Sequence, residues 1–68
     1  MRISYNKLWK ILIDKDMKRK DLQEVAGISS ASVAKLGKGD NITTDVLLRI
    51  CEAFDCTIDD ILETIKDE

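Results

Sequence analysis

Apolar residues recur along this chain at the spacing of α-helices, in short runs that are separated by turn residues. The first run predicts a helix from Tyr5 to Lys15, with inward side chains at Tyr5, Leu8, Ile11 and Leu12. Trp9 and Ile13 lie beside this stripe and widen the apolar arc to about 200° at ~100° per residue. That arc is wider than one core-facing side of a helix needs.

Three further helices are predicted from the same spacing and from residues that start helices. They run from about Arg19 to Ala26, from about Ser30 to Leu36, and from Thr44 to Phe54. Ser29 and Thr43 are suitable N-caps for the second and third of these, because their hydroxyls accept a bond from a free backbone N–H. Short connections join all four helices.

The residues after the turn at Asp55-Cys56-Thr57 predict a fifth helix. Thr57 and Asp60 resemble a capping box, and the apolar residues that follow have helical spacing: Ile58, Ile61, Leu62 and Ile65. The chain has no proline, which suits a helical bundle better than a β-sandwich. We therefore expect an all-α, five-helix domain over residues 1–68. Met1–Ser4 could extend or pair with a partner strand, and the sequence does not decide between them.

The segment from about residue 19 to residue 36 has the pattern of a helix-turn-helix. Gly27 follows the predicted second helix, where a left-handed residue commonly ends a helix, and Ser29 caps the third helix two residues later. Two short helices joined by such a tight turn form the motif whose second helix enters the DNA major groove. This pattern predicts sequence-specific binding of double-stranded DNA.

The charge of the whole chain argues against nucleic acid, but its distribution reverses that conclusion. The net charge is −2, with a sequence pI of about 5.0. Residues 1–39 contain nine Lys and Arg against four Asp and Glu, whereas residues 40–68 contain two against nine. A phosphate backbone responds to the charge nearby, because salt screens interactions beyond ~8 Å. The basic half contains the helix-turn-helix pattern.

The candidate DNA-binding residues lie in and beside this pattern. They are Lys18, Arg19, Ser29, Ser30, Ala31, Ser32, Lys35, Lys38 and Asn41. Cations at a helix N-terminus oppose the helix dipole, but a docked phosphate would make the Lys18-Arg19-Lys20 run favourable. Ser30, Ala31, Ser32 and Lys35 are the candidates for base contact. The alternatives are a solvated charge run, a purely capping role for Ser29, and a helix that packs against another protein.

Other classes of function find little support in the sequence. The spacing of Ser32 and Lys35 matches the S-x-x-K string of some acyl-transfer enzymes, but the other motifs of those enzymes are missing, and we expect no enzyme. Two cysteines and no histidine cannot supply a zinc site, and no cofactor or small-molecule ligand is expected. No membrane span and no signal peptide are evident, so we expect a cytoplasmic protein.

The order of these elements resembles the lambda-repressor/Cro-like family, in its compact bacterial members. The similar segments are LxxxxGISxxxVxKLxxG, which starts at Leu22, and LLRICEAFDCTIDDIL. The resemblance implies a transcriptional regulator, a repressor in our interpretation, that places helix 3 in the major groove and binds a palindromic operator as a dimer. This chain departs from the family in having Lys18-Arg19 in place of Thr-Gln, and Ser30-Ala31-Ser32 in place of long polar residues.

Two questions stay open at the level of sequence. The alternative function is an antitoxin-like or adaptor module that binds protein through the acidic residues Asp59, Asp60, Glu63, Asp67 and Glu68. The second question is the oligomeric state, because Trp9 and Ile13, or Leu62 and Ile65 of the predicted fifth helix, could form a homodimer interface. A fifth helix folded over Trp9 would instead leave a monomer.

Overall fold

The computed structural model describes residues 1–66 of the chain. In chain order, the elements of this part are β1 (Arg2–Ser4), α1 (Asn6–Asp14), α2 (Arg19–Ala26), α3 (Ser30–Lys38), α4 (Thr44–Phe54), a 3-10 turn (Ile58–Asp60) and β2 (Glu63–Ile65). None of the described helices is long and apolar enough to cross a membrane.

The four α-helices lie close to where the sequence places them. The bounds of α2 and α4 are the predicted ones, and α1 is one residue shorter at each end. The helix α3 continues two residues beyond the predicted end at Leu36 and stops at Lys38. It continues because Gly37 keeps a helical backbone, and the left-handed residue that ends it is Gly39, with a φ of 75°.

The expectation of an all-α, five-helix domain is wrong in its last element. Thr57 does begin a capped turn, since its N–H donates to the Asp60 carboxylate over 3.0 Å, but this turn is a single 3-10 turn. The chain then forms β2, which pairs antiparallel with β1 in the register Arg2 with Ile65, Ile3 with Thr64 and Ser4 with Glu63. The β-branched residues Thr64 and Ile65 favour a strand once a partner strand is present.

The hydrophobic core lies between the four α-helices and the segment after the 3-10 turn. Its largest fully buried side chains are Leu8, Leu22, Leu36, Ile50 and Ile61, so each α-helix contributes one and the C-terminal segment contributes the fifth. Ile61 thus does part of what the predicted fifth helix was expected to do. Around this centre, half-buried apolar side chains include Trp9, Met17, Phe54 and Leu62.

Candidate nucleic-acid interface

The turn between α2 and α3 is built from three consecutive residues. Gly27 ends α2 with a left-handed backbone at a φ of 65°, which costs glycine little because it has no Cβ. Ile28 is buried and anchors the turn to the core. Ser29 caps α3, because its Oγ accepts a hydrogen bond from the N–H of Ser32 over 3.2 Å. The predicted cap and turn are therefore confirmed.

The inward side of α3 carries Val33 and Leu36, which fixes the side of the helix that faces solvent. At 100° per residue, the residues opposite these two are Ala31, Ala34, Lys35 and Lys38. All four are exposed. Ala34 was not among the residues predicted from the sequence, although its position between Ala31 and Lys38 on the helix identifies it once the inward residues are known.

The predicted residues at the start of α3 differ in how available they are. Ser30 is exposed at the first helical position, but it lies toward the side of the outward stripe. Ser32 is half-buried, and its hydroxyl accepts a hydrogen bond from the Ser29 hydroxyl over 3.1 Å. Ser29 and Ser32 are thus bonded to each other at the N-terminus of the helix. The most open positions of this first turn are Ser30 and Ala31.

The basic run at the start of α2 is exposed, but its members have different contacts. The backbone N–H of Lys18 donates to the Asp21 carboxylate over 2.9 Å, which caps the helix and leaves the Lys18 ammonium free to face solvent. Arg19 lies with its Cζ 4.6 Å from the centroid of the Trp9 ring, in a cation–π contact with α1. The Arg19 side chain is therefore held against the protein.

The end of α3 and the loop after it bring two more predicted residues to the surface. Lys38, the last residue of α3, and Asn41 in the loop are both exposed. The Tyr5 hydroxyl donates to the carbonyl of Asp40 over 3.0 Å, which ties this loop to the start of α1. Burial of the Tyr5 ring, together with the nearby Asp40 charge, raises the pKa of Tyr5. Thr43 caps α4, since its Oγ1 accepts from the N–H of Val46 over 3.4 Å.

Among residues 1–66, no group of three or more acidic, cysteine or histidine side chains could hold a metal ion. Cys51 and Cys56 are free thiols, and burial with the neighbouring Cys51 raises the pKa of Cys56. A hydrogen bond from the Thr57 hydroxyl lowers the pKa of Asp59. Asp67 and Glu68, part of the acidic surface considered from the sequence, lie outside the described residues.

Of the four residues predicted as candidates for a dimer interface, Trp9 and Ile65 line one cleft, together with Gly37. Ile13 is 75% exposed and lines a shallow groove of about 240 Å³ with Trp9 and Met17. Leu62 packs against the core and Ile65 lies in β2, where it pairs with Arg2. Because residues 57–65 form a 3-10 turn and a strand, the alternative of a fifth helix folded over Trp9 does not apply.

Comparison with known proteins gives two matches to this arrangement. Residues 7–67 match the Cro/C1-type HTH DNA-binding domain. A solved crystal structure described as that of the transcriptional regulator VanUg (form II) is similar over 97% of this chain and 88% of its own, with 52% sequence identity and a TM-score of 0.90. No curated protein matches the chain significantly. The match over residues 7–67, together with the capped turn and exposed α3, shows that the chain belongs to the Cro/C1-type helix-turn-helix DNA-binding domain family.

Proposed function

We propose that this protein is a transcriptional regulator that binds double-stranded DNA sequence-specifically, with α3 in the major groove. The observation that carries the proposal is the outward face of α3, where two alanines leave room for close approach and Lys35 and Lys38 add positive charge. The similarity to a structure described as a transcriptional regulator supports the same function. A helix of this width enters the major groove of B-DNA.

Backbone contacts in this proposal come from both sides of α3. Lys18 and Arg19 lie at the N-terminus of α2, Lys38 is the last residue of α3, and Asn41 lies in the loop that follows. The positive end of the α2 dipole adds to the charges of Lys18 and Arg19 at the start of the helix, which favours a phosphate there. Ser29 would join them through its hydroxyl, in addition to its capping bond. These contacts position the protein on the duplex but carry no base information.

Base contacts in the proposal are few and short. Ser30 and Ser32 can donate to or accept from several base edges, and the methyl groups of Ala31 and Ala34 can contact a thymine methyl. Lys35 is the one long donor among the candidate base-reading positions, and it can reach a guanine edge or a phosphate. We therefore expect specificity near the low end of ~10³–10⁷ over random duplex, with DNA shape contributing part of it.

The experiment that tests DNA binding measures affinity for random duplex DNA at increasing salt concentration. We expect a steep loss with salt, and a slope that becomes flatter by ~1 for each phosphate contact that is removed in a Lys18→Ala, Arg19→Ala double variant. Lys15→Ala is the matched control, because the Lys15 ammonium lies over the Phe54 ring of α4. Binding without salt dependence, or no binding, would favour the alternative of a protein-binding adaptor.

The readout by α3 is tested by introducing a long side chain on its outward face. Ala31→Arg should change the selected DNA sequence while the domain stays folded, because Ala31 is exposed and a surface substitution costs within about 0.5 kcal/mol. Ala53→Arg on α4 is the matched control for an exposed alanine. If Ala31→Arg selects the same sequence as the unchanged protein, α3 does not read the bases.

We further propose that the protein represses transcription as a homodimer on a palindromic operator. One α3 covers only a few base pairs, so two copies on half-sites ~10 base pairs apart would raise specificity. The stronger candidate for the dimer interface is Ile13 with Trp9, since Ile13 is 75% exposed. Leu62 with Ile65 is the weaker candidate. Sedimentation of the protein alone and with a palindromic duplex tests it, and one chain per duplex would refute the dimer.

Two variants and one assay complete this test. Ile13→Ser should reduce dimerisation, whereas Val25→Ser, at an exposed valine of α2, should leave it unchanged. Transcription in vitro from a promoter that overlaps the selected site should fall as the protein is added. A rise in transcription would show an activator and overturn the repressor part of the proposal alone.

A further inference from the structure

Gly37 lies inside α3 at a position where the backbone does not require glycine. The left-handed glycines of the described chain are Gly27 and Gly39, and Gly37 is not among them. A glycine within a helix costs roughly 1 kcal/mol relative to alanine, because it loses more backbone freedom on folding. The reason for Gly37 must therefore lie in its surroundings.

Those surroundings are the guanidinium group of Arg19. A Cβ added at Gly37 would lie 2.6 Å from Nη1 of Arg19, which is closer than real Cβ atoms come, and 3.4 Å from its Cζ. The same guanidinium lies 4.6 Å from the centroid of the Trp9 ring. One side chain at the start of α2 thus contacts both the ring of α1 and the last turns of α3. The space that Gly37 leaves open is filled by Arg19.

We propose that Arg19 is a positioning residue for the recognition helix, which it links to Trp9 by filling the space beside Gly37. This contact fixes the C-terminal half of α3, including Lys35 and Lys38, relative to α1 and the start of α2. The base preference of α3 then depends on a residue that reads no base. The inference rests on the proposed DNA binding, and it deepens that proposal by naming what orients α3.

The chemistry of arginine separates this role from a simple phosphate contact. A guanidinium is planar and stacks on aromatic rings, whereas a lysine ammonium is a compact point charge on a flexible chain. Arg19→Lys therefore keeps the positive charge that a phosphate contact needs but loses the planar group beside Trp9 and Gly37. The cationic end of Arg19 also lies beside the C-terminal turn of α3, where positive charge is favoured by the helix dipole.

The link itself can be measured without DNA, because Trp9 is the one tryptophan of the chain. Arg19→Lys, Arg19→Ala and Gly37→Ala should each shift the Trp9 emission to longer wavelength, since the guanidinium no longer shields the ring from water. In Gly37→Ala the flexible end of Arg19 moves aside, so the helix stays folded. Lys15→Ala removes a cation that lies over Phe54 and should leave the emission unchanged. Unshifted emission in all three variants would overturn the link.

The role in DNA binding is tested by selecting bound sequences from a random duplex library with each variant. We expect Arg19→Lys to bind the site of the unchanged protein roughly 3- to 30-fold more weakly and to select a broader set of sequences, with the salt slope retained. Gly37→Ala should have a similar effect alone and none when it is added to Arg19→Ala, because both act on one contact.

The opposite results separate the failure of this inference from failure of the proposed function. If the Arg19→Lys variant binds with the affinity and base preference of the unchanged protein, Arg19 acts only through its charge and the positioning role is overturned. If Gly37→Ala and Arg19→Ala have additive effects, the two residues act independently and the proposal is equally overturned. If the unchanged protein binds no duplex, the proposed function fails with it, while the Trp9 emission still reports whether the link exists.

Discussion

The two ends of α3 are built in different ways. At the N-terminal end, the residues that shape the helix are neighbours in the sequence. Gly27 ends the preceding helix, Ile28 anchors the turn in the core, and Ser29 caps α3 through its bond to Ser32. The longest reach at this end is a bond from Arg49 of α4 to the Gly27 carbonyl over 3.2 Å.

At the C-terminal end, the contacts come from residues that are far apart in the sequence. Arg19 lies beside Gly37, and the Tyr5 hydroxyl bonds to the carbonyl of Asp40, 35 residues away. The carbonyl oxygen of Ile3 in β1 lies 4.0 Å from where a Cβ of Gly39 would be. The first end can therefore exchange its exposed side chains without disturbing the fold, whereas changes near the second end reach α1 and the strands.

The largest difference between the ends should appear in the core. Leu36 is 1% exposed, and Leu36→Ala should reduce the free energy of unfolding by about 2–5 kcal/mol, through lost burial and the cavity that remains. Val33 is 8% exposed and lies nearer the N-terminal end. Val33→Ala should reduce the free energy of unfolding by about 1.5 kcal/mol, because it removes only two methyl groups. Unfolding in urea measures both. Equal losses would contradict the tighter packing of the C-terminal end.

A smaller effect is expected from the cap at the N-terminal end. Ser29→Ala should reduce the free energy of unfolding by about 0.5–2 kcal/mol, because the N–H of Ser32 loses its acceptor. Ser29→Asp keeps an acceptor and adds a charge that favours the helix dipole, so its stability should stay near that of the unchanged protein. Its DNA affinity should nevertheless fall, since the new charge faces phosphate. Unchanged affinity in Ser29→Asp would remove Ser29 from the interface.

The contrast between the two ends also explains which parts of the structure the sequence could predict. The bounds of α2, the turn at Gly27 and the caps Ser29 and Thr43 follow from signals within a few residues, and all were predicted. The family was identified from this segment together with LLRICEAFDCTIDDIL and the order of the elements, and the match over residues 7–67 confirms it. Local signals suffice there because the first and last turns of a helix are satisfied by nearby side chains.

The parts that were missed depend on distant partners. The segment from Ile58 to Ile65 has helical spacing, but β2 forms against β1, about 60 residues earlier in the chain. The contact of Arg19 with Trp9 and Gly37 joins three helices, and no short pattern contains all three residues. Ala34 was missed for a different reason, since its place on the outward face depends on which residues of α3 point inward. The DNA-binding residues themselves remain predictions.

A further prediction concerns the bond that ties the C-terminal loop to α1. Tyr5→Phe should reduce the free energy of unfolding by about 0.5–1.5 kcal/mol, because the Asp40 carbonyl loses its donor while the ring stays buried. Tyr5 is the one tyrosine in the chain, so the ultraviolet absorbance of tyrosinate reports its ionisation directly. Its pKa should be higher in the folded protein than in urea, since burial and Asp40 both disfavour the charged ring.

This raised pKa also fixes the sign of the pH dependence. The folded state favours the protonated hydroxyl, so the contribution of Tyr5 to stability is complete at neutral pH and is lost as the pH rises through the raised pKa. Tyr5→Phe should remove that part of the alkaline loss. An equal or lower pKa in the folded protein would contradict the burial of the Tyr5 hydroxyl beside the Asp40 charge.

The smallest effect is expected at Arg49, whose side chain reaches from α4 to the turn before α3. Its Nη1 donates to the Gly27 carbonyl over 3.2 Å, and its Nε lies 3.1 Å from the Asp45 carboxylate. Both side chains are mostly exposed, so Arg49→Ala should cost no more than about 1 kcal/mol of unfolding free energy. Measuring the same substitution with Asp45→Ala present removes the ion pair from the comparison. The loss of unfolding free energy that persists then measures the hydrogen bond from Arg49 to the Gly27 carbonyl. If this loss exceeds that of Ser29→Ala, α4 rather than the local cap holds the N-terminal end of α3.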